Sequence, residues 1–280
     1  MYYKIENEFL TCEIDDMGAQ LHSLKLKEND KEYIWQGNPD IWYGQAPVLF
    51  PIIGQLINDK YYYNGTEYTM PKHGLARKLL FKVKECEGAK AVFSLESDES
   101  TLKSYPFDFE YLVLFELKGK SLVNTMTVIN KTKGEMYFSV GAHPAFNCKV
   151  GDIIEFEKPE TLATERIDKE NLIIPEKFPL IENSKEIEIT KEIFEADALI
   201  LSDIQSEKLT IKGENEVEFT FGECPFLGIW AKPGAPYVCI EPWYGVNDGR
   251  EVKSDISEKR GIQHLGESEI FEFSWTAEIK

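Results

Sequence analysis

Period-two alternation of apolar and polar residues does most to limit what this chain can become. Phe107, Phe109, Tyr111, Val113, Phe115 and Leu117 are apolar, with polar Asp108, Glu110, Glu116 and Lys118 between them; Leu112 and Leu114 break the pattern. Near the end, Phe271, Phe273, Trp275, Ala277 and Ile279 alternate cleanly with Glu272, Ser274, Thr276 and Glu278. Successive side chains of a strand point to opposite faces, so this spacing predicts strands with one face in a core. Turn signals punctuate such runs. Asn64-Gly65, between Tyr61–Tyr63 and Thr66–Tyr68, suits the positive φ angles of a tight hairpin. Residues 130–134 separate Leu122–Ile129 from Met136–Val140 in the same way. Helical signals are few: Asn38-Pro39 is placed to cap a turn before Ile41-Trp42, and Thr190 to cap Lys191–Ala196. With no repeat, low-complexity tract or linker, the prediction is an all-β chain with a few short helices. Residues 1–280 are read as a single large antiparallel β-sandwich domain.

Composition narrows the function classes. No apolar run approaches the ~18 residues of a membrane span. The start MYYKIENEFL lacks the basic and apolar regions of a signal peptide, so a cytoplasmic location is expected. A net charge of −18 disfavours nucleic acid and anionic bilayers as partners. The five cysteines (Cys12, Cys86, Cys148, Cys224 and Cys239) contain no CxxC and read as reduced structural thiols. No two of His22, His73, His143 and His264 lie within a helical turn of each other, so their spacing indicates no metal site.

Three segments stand out from the strand background: residues 71–77 (PKHGLAR), 141–147 (GAHPAFN) and 239–245 (CIEPWYG). Proline follows both His143 and Glu241. It pushes the residue before it toward extended geometry and cannot donate to a ladder, which predicts that both side chains stand at strand rims beside a cleft. Phe146, Trp230, Trp243 and Tyr244 are candidate flat walls for that cleft. Taken singly, a histidine among apolar residues reads as structural, Glu241 before Pro-Trp as an ion-pair partner, and Lys72, Arg77 and Lys78 as a solvated face. The functional reading depends on the three segments occurring together.

Residues 49–54 (LFPIIG), 73–77 (HGLAR), 141–146 (GAHPAF) and 241–245 (EPWYG) together resemble the aldose 1-epimerase family, in its bacterial LacX-type branch. Residues 105–109 (YPFDF) and 228–234 (GIWAKPG) also resemble that branch. The resemblance implies a sandwich of the galactose-mutarotase type with its active site in an open cleft on one sheet. It implies His143 as the general acid toward the ring oxygen and Glu241 as the general base toward the anomeric hydroxyl. It further implies His73 as a second histidine that holds the sugar, and Arg77 as a substrate contact. It implies an arginine where this chain has Gln55; an uncharged amide there changes the donors offered to the sugar.

The implied chemistry suits these residue types. Interconverting anomers removes a proton from the C1 hydroxyl, adds one to the ring oxygen, and reverses both on closure. An acid–base pair does this with no cofactor. The expected partner is a small-molecule sugar, an aldohexose or its phosphate, and the reading leaves a homodimer open. Two other functions fit the same fold. One is a hexose-6-phosphate 1-epimerase in which Lys72, Arg77, Lys78 and Lys232 offset the phosphate. The other is a sugar-binding protein without turnover. A glycosidase needs a second carboxyl group to partner Glu241, and no other acidic residue has a comparable proline- and aromatic-flanked setting.

Overall fold

The computed structural model describes residues 1–250 and 255–280. The strands that position the cleft and its support are β1 (Val48–Leu49), β2 (Phe109–Lys118), β3 (Ser121–Asn130), β4 (Val140–Ala142), β5 (Ala145–Asn147), β6 (Phe226–Trp230), β7 (Tyr237–Tyr244) and β8 (Ile270–Ile279). They belong to one fifteen-stranded sheet whose order begins β1-β4-β7-β6 and ends with β8-β3-β2 followed by Lys90–Glu96 and Lys82–Glu87. All its pairings are antiparallel, and a separate four-stranded sheet is built from residues 2–32.

Alternation explains the central strands. On β2 the odd-numbered positions from Phe109 to Leu117 are buried and the even ones partly covered. Leu112 and Leu114 thus sit on the outer face without shifting the register. On β8, Phe273, Trp275, Ala277 and Ile279 are buried.

The sheet curls so that its two ends meet. Phe50, just after β1, lies 5.0 Å from Phe109 and 4.8 Å from Tyr111 between ring centres, although β1 and β2 are far apart in sheet order. Phe146 of β5 packs on Phe219, which stacks on Trp275 of β8. Each fully buried ring removes enough apolar surface from water to contribute about 1.5–3 kcal/mol, so this aromatic seam is a principal reason the curl holds. The result is an antiparallel β-sandwich.

Local expectations fared unevenly. Asn64-Gly65 does turn a hairpin between Lys60–Tyr63 and Thr66–Thr69. Thr190 accepts from the Ile193 N–H at 3.3 Å ahead of a 3-10 turn at Glu192–Phe194. Asn38-Pro39 starts no helix; the Asn38 side chain accepts from the Asp40 N–H, and Asn38 then bridges to Trp42. Residues 130–134 make no hairpin either. The Asn130 amide donates to the carbonyls of Gly134, Leu265 and Gly266. Met136–Phe138 accordingly pairs with Gln263–Leu265 instead of returning along β3.

Candidate active site

β7 carries the floor of the cleft. With a period of two, Tyr237, Cys239, Glu241 and Trp243 share one face. On one side β7 pairs with β6, placing Gly228 opposite Glu241. On the other side β4 pairs at Trp243 and Tyr244, and β5 pairs at Tyr237 to Cys239. These last two ladders keep a single register across the break at residues 143–144, so His143 falls opposite Glu241. Glu241 is therefore mid-strand, a correction to the rim placement expected from Pro242. The proline is tolerated because its missing N–H falls where the neighbouring ladder is interrupted. Gly228 has a mechanical role: a Cβ there would stand 2.7 Å from Trp243 Cζ2, so glycine lets that indole lie across β6.

His143 Nε2 stands 3.3 Å from Glu241 Oε2, and the same oxygen accepts from Trp243 Nε1 at 3.2 Å. Both side chains are almost fully enclosed, at 8% and 1% exposure. Burial lowers the His143 pKa to about 3, helped by the nearby positive charges of Arg77 and Lys72. Burial likewise drives the Glu241 carboxyl well above the usual carboxylate range. Each group is pushed toward its neutral form, so burial favours the state in which the pair holds one proton between its members. His143 Nδ1 is buried without a hydrogen-bond partner.

His73 reaches the cleft from a loop. Its backbone is in the left-handed region at φ 65°, and its Nδ1 accepts from the Gly54 N–H at 3.1 Å. That bond leaves the proton on Nε2. Burial, then the charge of Lys72, holds the His73 pKa well below the ordinary histidine value, making the ring a neutral donor. Gly74 beside it has φ 75°, and a Cβ there would lie 2.3 Å from the Phe50 carbonyl oxygen.

Aromatic rings form one wall. Trp42 stacks on His143 at 5.2 Å and meets Trp230 edge-on. Trp230 in turn meets His143 edge-on at 5.7 Å. Lys72 Nζ donates to Asn171 Oδ1 at 2.7 Å, and Arg77 Nη2 to the Lys72 carbonyl at 2.8 Å. The cleft has a volume of about 350 Å³, within the ~300–1,000 Å³ usual for small-molecule sites.

Of the residues singled out from sequence, Lys72, His73, Arg77, His143, Trp230, Lys232, Glu241 and Trp243 line this space. Four others do not. Lys78 lines a neighbouring hollow with Gln20 and Tyr43 instead. Phe146 is fully buried on the opposite face of its strand against Phe219. It is three positions from His143, and an odd separation along a strand reverses the face. Gln55 turns its amide to the Leu56 carbonyl and the Asp59 carboxylate, outside the cleft. Tyr244 packs on Phe271 and Phe273. Sequence reasoning missed Trp42, Asn171, Asp197 and Asn247. Asn247 lies two residues beyond the third segment and was within reach of it; the others come from loops without a pattern. His22 bonds Gln45, and His264 pairs with Glu135, both away from the cleft.

Residues 1–248 match the aldose 1-epimerase family. The plasmid-encoded protein LacX of Lactococcus lactis subsp. lactis is 32% identical over 281 residues, covering 92% of this chain and 93% of LacX. A galactose mutarotase related enzyme from Lactobacillus acidophilus has a TM-score of 0.95 at 33% identity, with 100% of this chain and 97% of that one covered. A galactose mutarotase-like protein from Lactobacillus casei ATCC 334 also reaches 0.95, at 26% identity, with 100% of both chains covered.

Proposed function

The chain belongs to the aldose 1-epimerase family and has its galactose-mutarotase fold, and from that premise we propose that it interconverts the α and β anomers of an aldohexose, with His143 and Glu241 as the proton-transfer pair. The observation that carries this reading is the 3.3 Å approach of His143 Nε2 to Glu241 Oε2 at the floor of an open cleft. Opening the hemiacetal moves one proton off the C1 hydroxyl and one onto the ring oxygen. Glu241 as carboxylate takes the first and His143 supplies the second, the proton it receives from the pair's shared store. His73, neutral and with its free N–H on Nε2, donates to the sugar oxygen on which charge develops. Trp42 and Trp230 offer flat faces to the ring. Closing on the other face of the carbonyl returns both protons, so no net proton is consumed.

Exchange NMR of glucose and galactose anomers tests this. His143→Asn or Glu241→Gln should each slow exchange by ~10²–10⁴-fold while sugar still raises the melting temperature. Near-normal exchange in either variant removes that residue from its role.

The cations favour a second reading, in which the sugar carries an anionic substituent such as a phosphate. Among the described residues, no carboxylate forms an ion pair with Lys72, Arg77 or Lys232, although all three line the cleft. Arg77 Nε is buried and unpartnered. Burial lowers the pKa of both Lys72 and Arg77, the mark of positive charge that is incompletely compensated. Running glucose 6-phosphate beside glucose in the same exchange assay distinguishes the two substrates.

A further inference from the structure

The proton-transfer pair has a third neighbour that the reaction does not use. Cys239 lies two positions before Glu241 on β7 and therefore points from the same face. The register that sets His143 opposite Glu241 brings the imidazole to the same spot. One ligating atom each from His143, Cys239 and Glu241 fall within 4.8 Å of one another, and the three residues are 8%, 0% and 1% exposed.

We propose that His143, Cys239 and Glu241 bind one thiophilic divalent cation of the zinc class, and that occupancy switches the proton-transfer pair off. One nitrogen, one sulfur and one carboxylate oxygen form a zinc-type donor set. Metal bonds of ~2.0–2.3 Å require only a modest contraction of the cluster, and three protein ligands leave a fourth position open. Two of the three ligands, His143 and Glu241, line the cleft. Charge supports the same assignment. A dication with a thiolate, a carboxylate and a neutral imidazole sums to zero, the state a buried site tolerates best. With no partner on Nδ1, the imidazole is not tied to either tautomer and is free to turn a lone pair on Nε2 toward the ion. Binding takes the proton from the Cys239 thiol and the one shared by the pair, and releases both to solvent.

The inhibitory half rests on the function proposed above: the metal occupies the imidazole lone pair and the carboxylate oxygen that exchange protons with the sugar. The binding half stands apart from it, and the tests separate the two. Calorimetric titration of the metal-free full-length protein with zinc chloride should show one equivalent bound, with proton release visible as a dependence of the heat on buffer ionisation. Cobalt(II) should give a thiolate-to-cobalt charge-transfer band. Cys239→Ser should weaken zinc binding by at least ~10-fold and abolish the cobalt band, keep anomer exchange within about twofold, and relieve inhibition by zinc. Zinc affinity in Cys239→Ser within about twofold of wild type, or a wild-type cobalt spectrum without the thiolate band, would overturn the site. The cobalt measurement needs only the wild-type protein, so a variant that does not fold leaves that test intact. Zinc that binds through Cys239 but leaves exchange at full rate overturns the inhibitory half and supports the binding half.

Discussion

Burial acts on His143 and Glu241 in opposite senses, and the Glu241 side of that balance reaches beyond the reaction into stability. In the unfolded chain its carboxyl ionises near the ordinary 4.5, whereas in the folded protein it keeps its proton to higher pH. The folded state therefore binds more protons over that interval, and stability falls as the pH rises from about 4.5 through the folded value. Glutamine keeps the shape, still accepts from Trp243 Nε1, and has no charge to bury. Glu241→Gln is thus expected to melt above wild type at about pH 8, with the gap closing as the pH falls toward 4.5. Thermal melts across that range check it, and a variant that melts lower at alkaline pH would count against an enclosed carboxyl. The sequence carried the identities of this pair, through the prolines and aromatic residues that follow it. It did not carry the neighbour: Cys239 reads as one more structural thiol until the register places it beside the pair.

At the scale of elements, the loop that presents His73 is pinned against residues 50–54: the His73 N–H donates to the Gly54 carbonyl, and the Leu75 and Ala76 N–H groups to the Phe50 carbonyl. Gly74→Ala must place a Cβ in the left-handed region and also against the Phe50 carbonyl. Gly65, in the exposed hairpin, has the same φ of 75° with nothing near its Cβ position. The two variants share a conformational cost of ~1–3 kcal/mol, and only Gly74→Ala adds a clash. Gly74→Ala should lose the more stability in denaturant titration and also lose sugar affinity, because His73 moves with the loop. Equal losses would mean that the loop shifts freely and does not position the imidazole. The same contrast explains what was legible beforehand. β2 and β8 could be read because a half-buried strand imprints its period on the sequence, and the Asn-Gly hairpin because positive φ selects its residues. Trp42, Asn171 and Asp197 could not, since a loop residue is placed by tertiary contacts that leave no local period. Phe146 was misassigned through nearness in sequence, where counting strand faces from His143 would have sent it to the core.

For the whole molecule, the scaffold and the cleft carry opposite charge. A net −18 repels itself and any anion at a distance, whereas Lys72, Arg77 and Lys232 bring positive charge to the lining of the cleft. Salt separates the two, because the screening length shrinks from ~30 Å at 0.01 M to ~8 Å at 0.15 M. Across that interval the melting temperature of the free protein should rise as self-repulsion is screened. The KM for glucose 6-phosphate should move the other way in energetic terms, increasing as the short-range attraction weakens, while the KM for uncharged glucose stays level. Lys232→Gln should raise the phosphate KM and flatten its salt dependence, since this exposed side chain at the cleft mouth is the cation most open to screening. A glucose 6-phosphate KM that instead falls with added salt would show the distant negative field outweighing the cleft, and the anionic-substrate reading would then fail while the neutral-sugar reading stood.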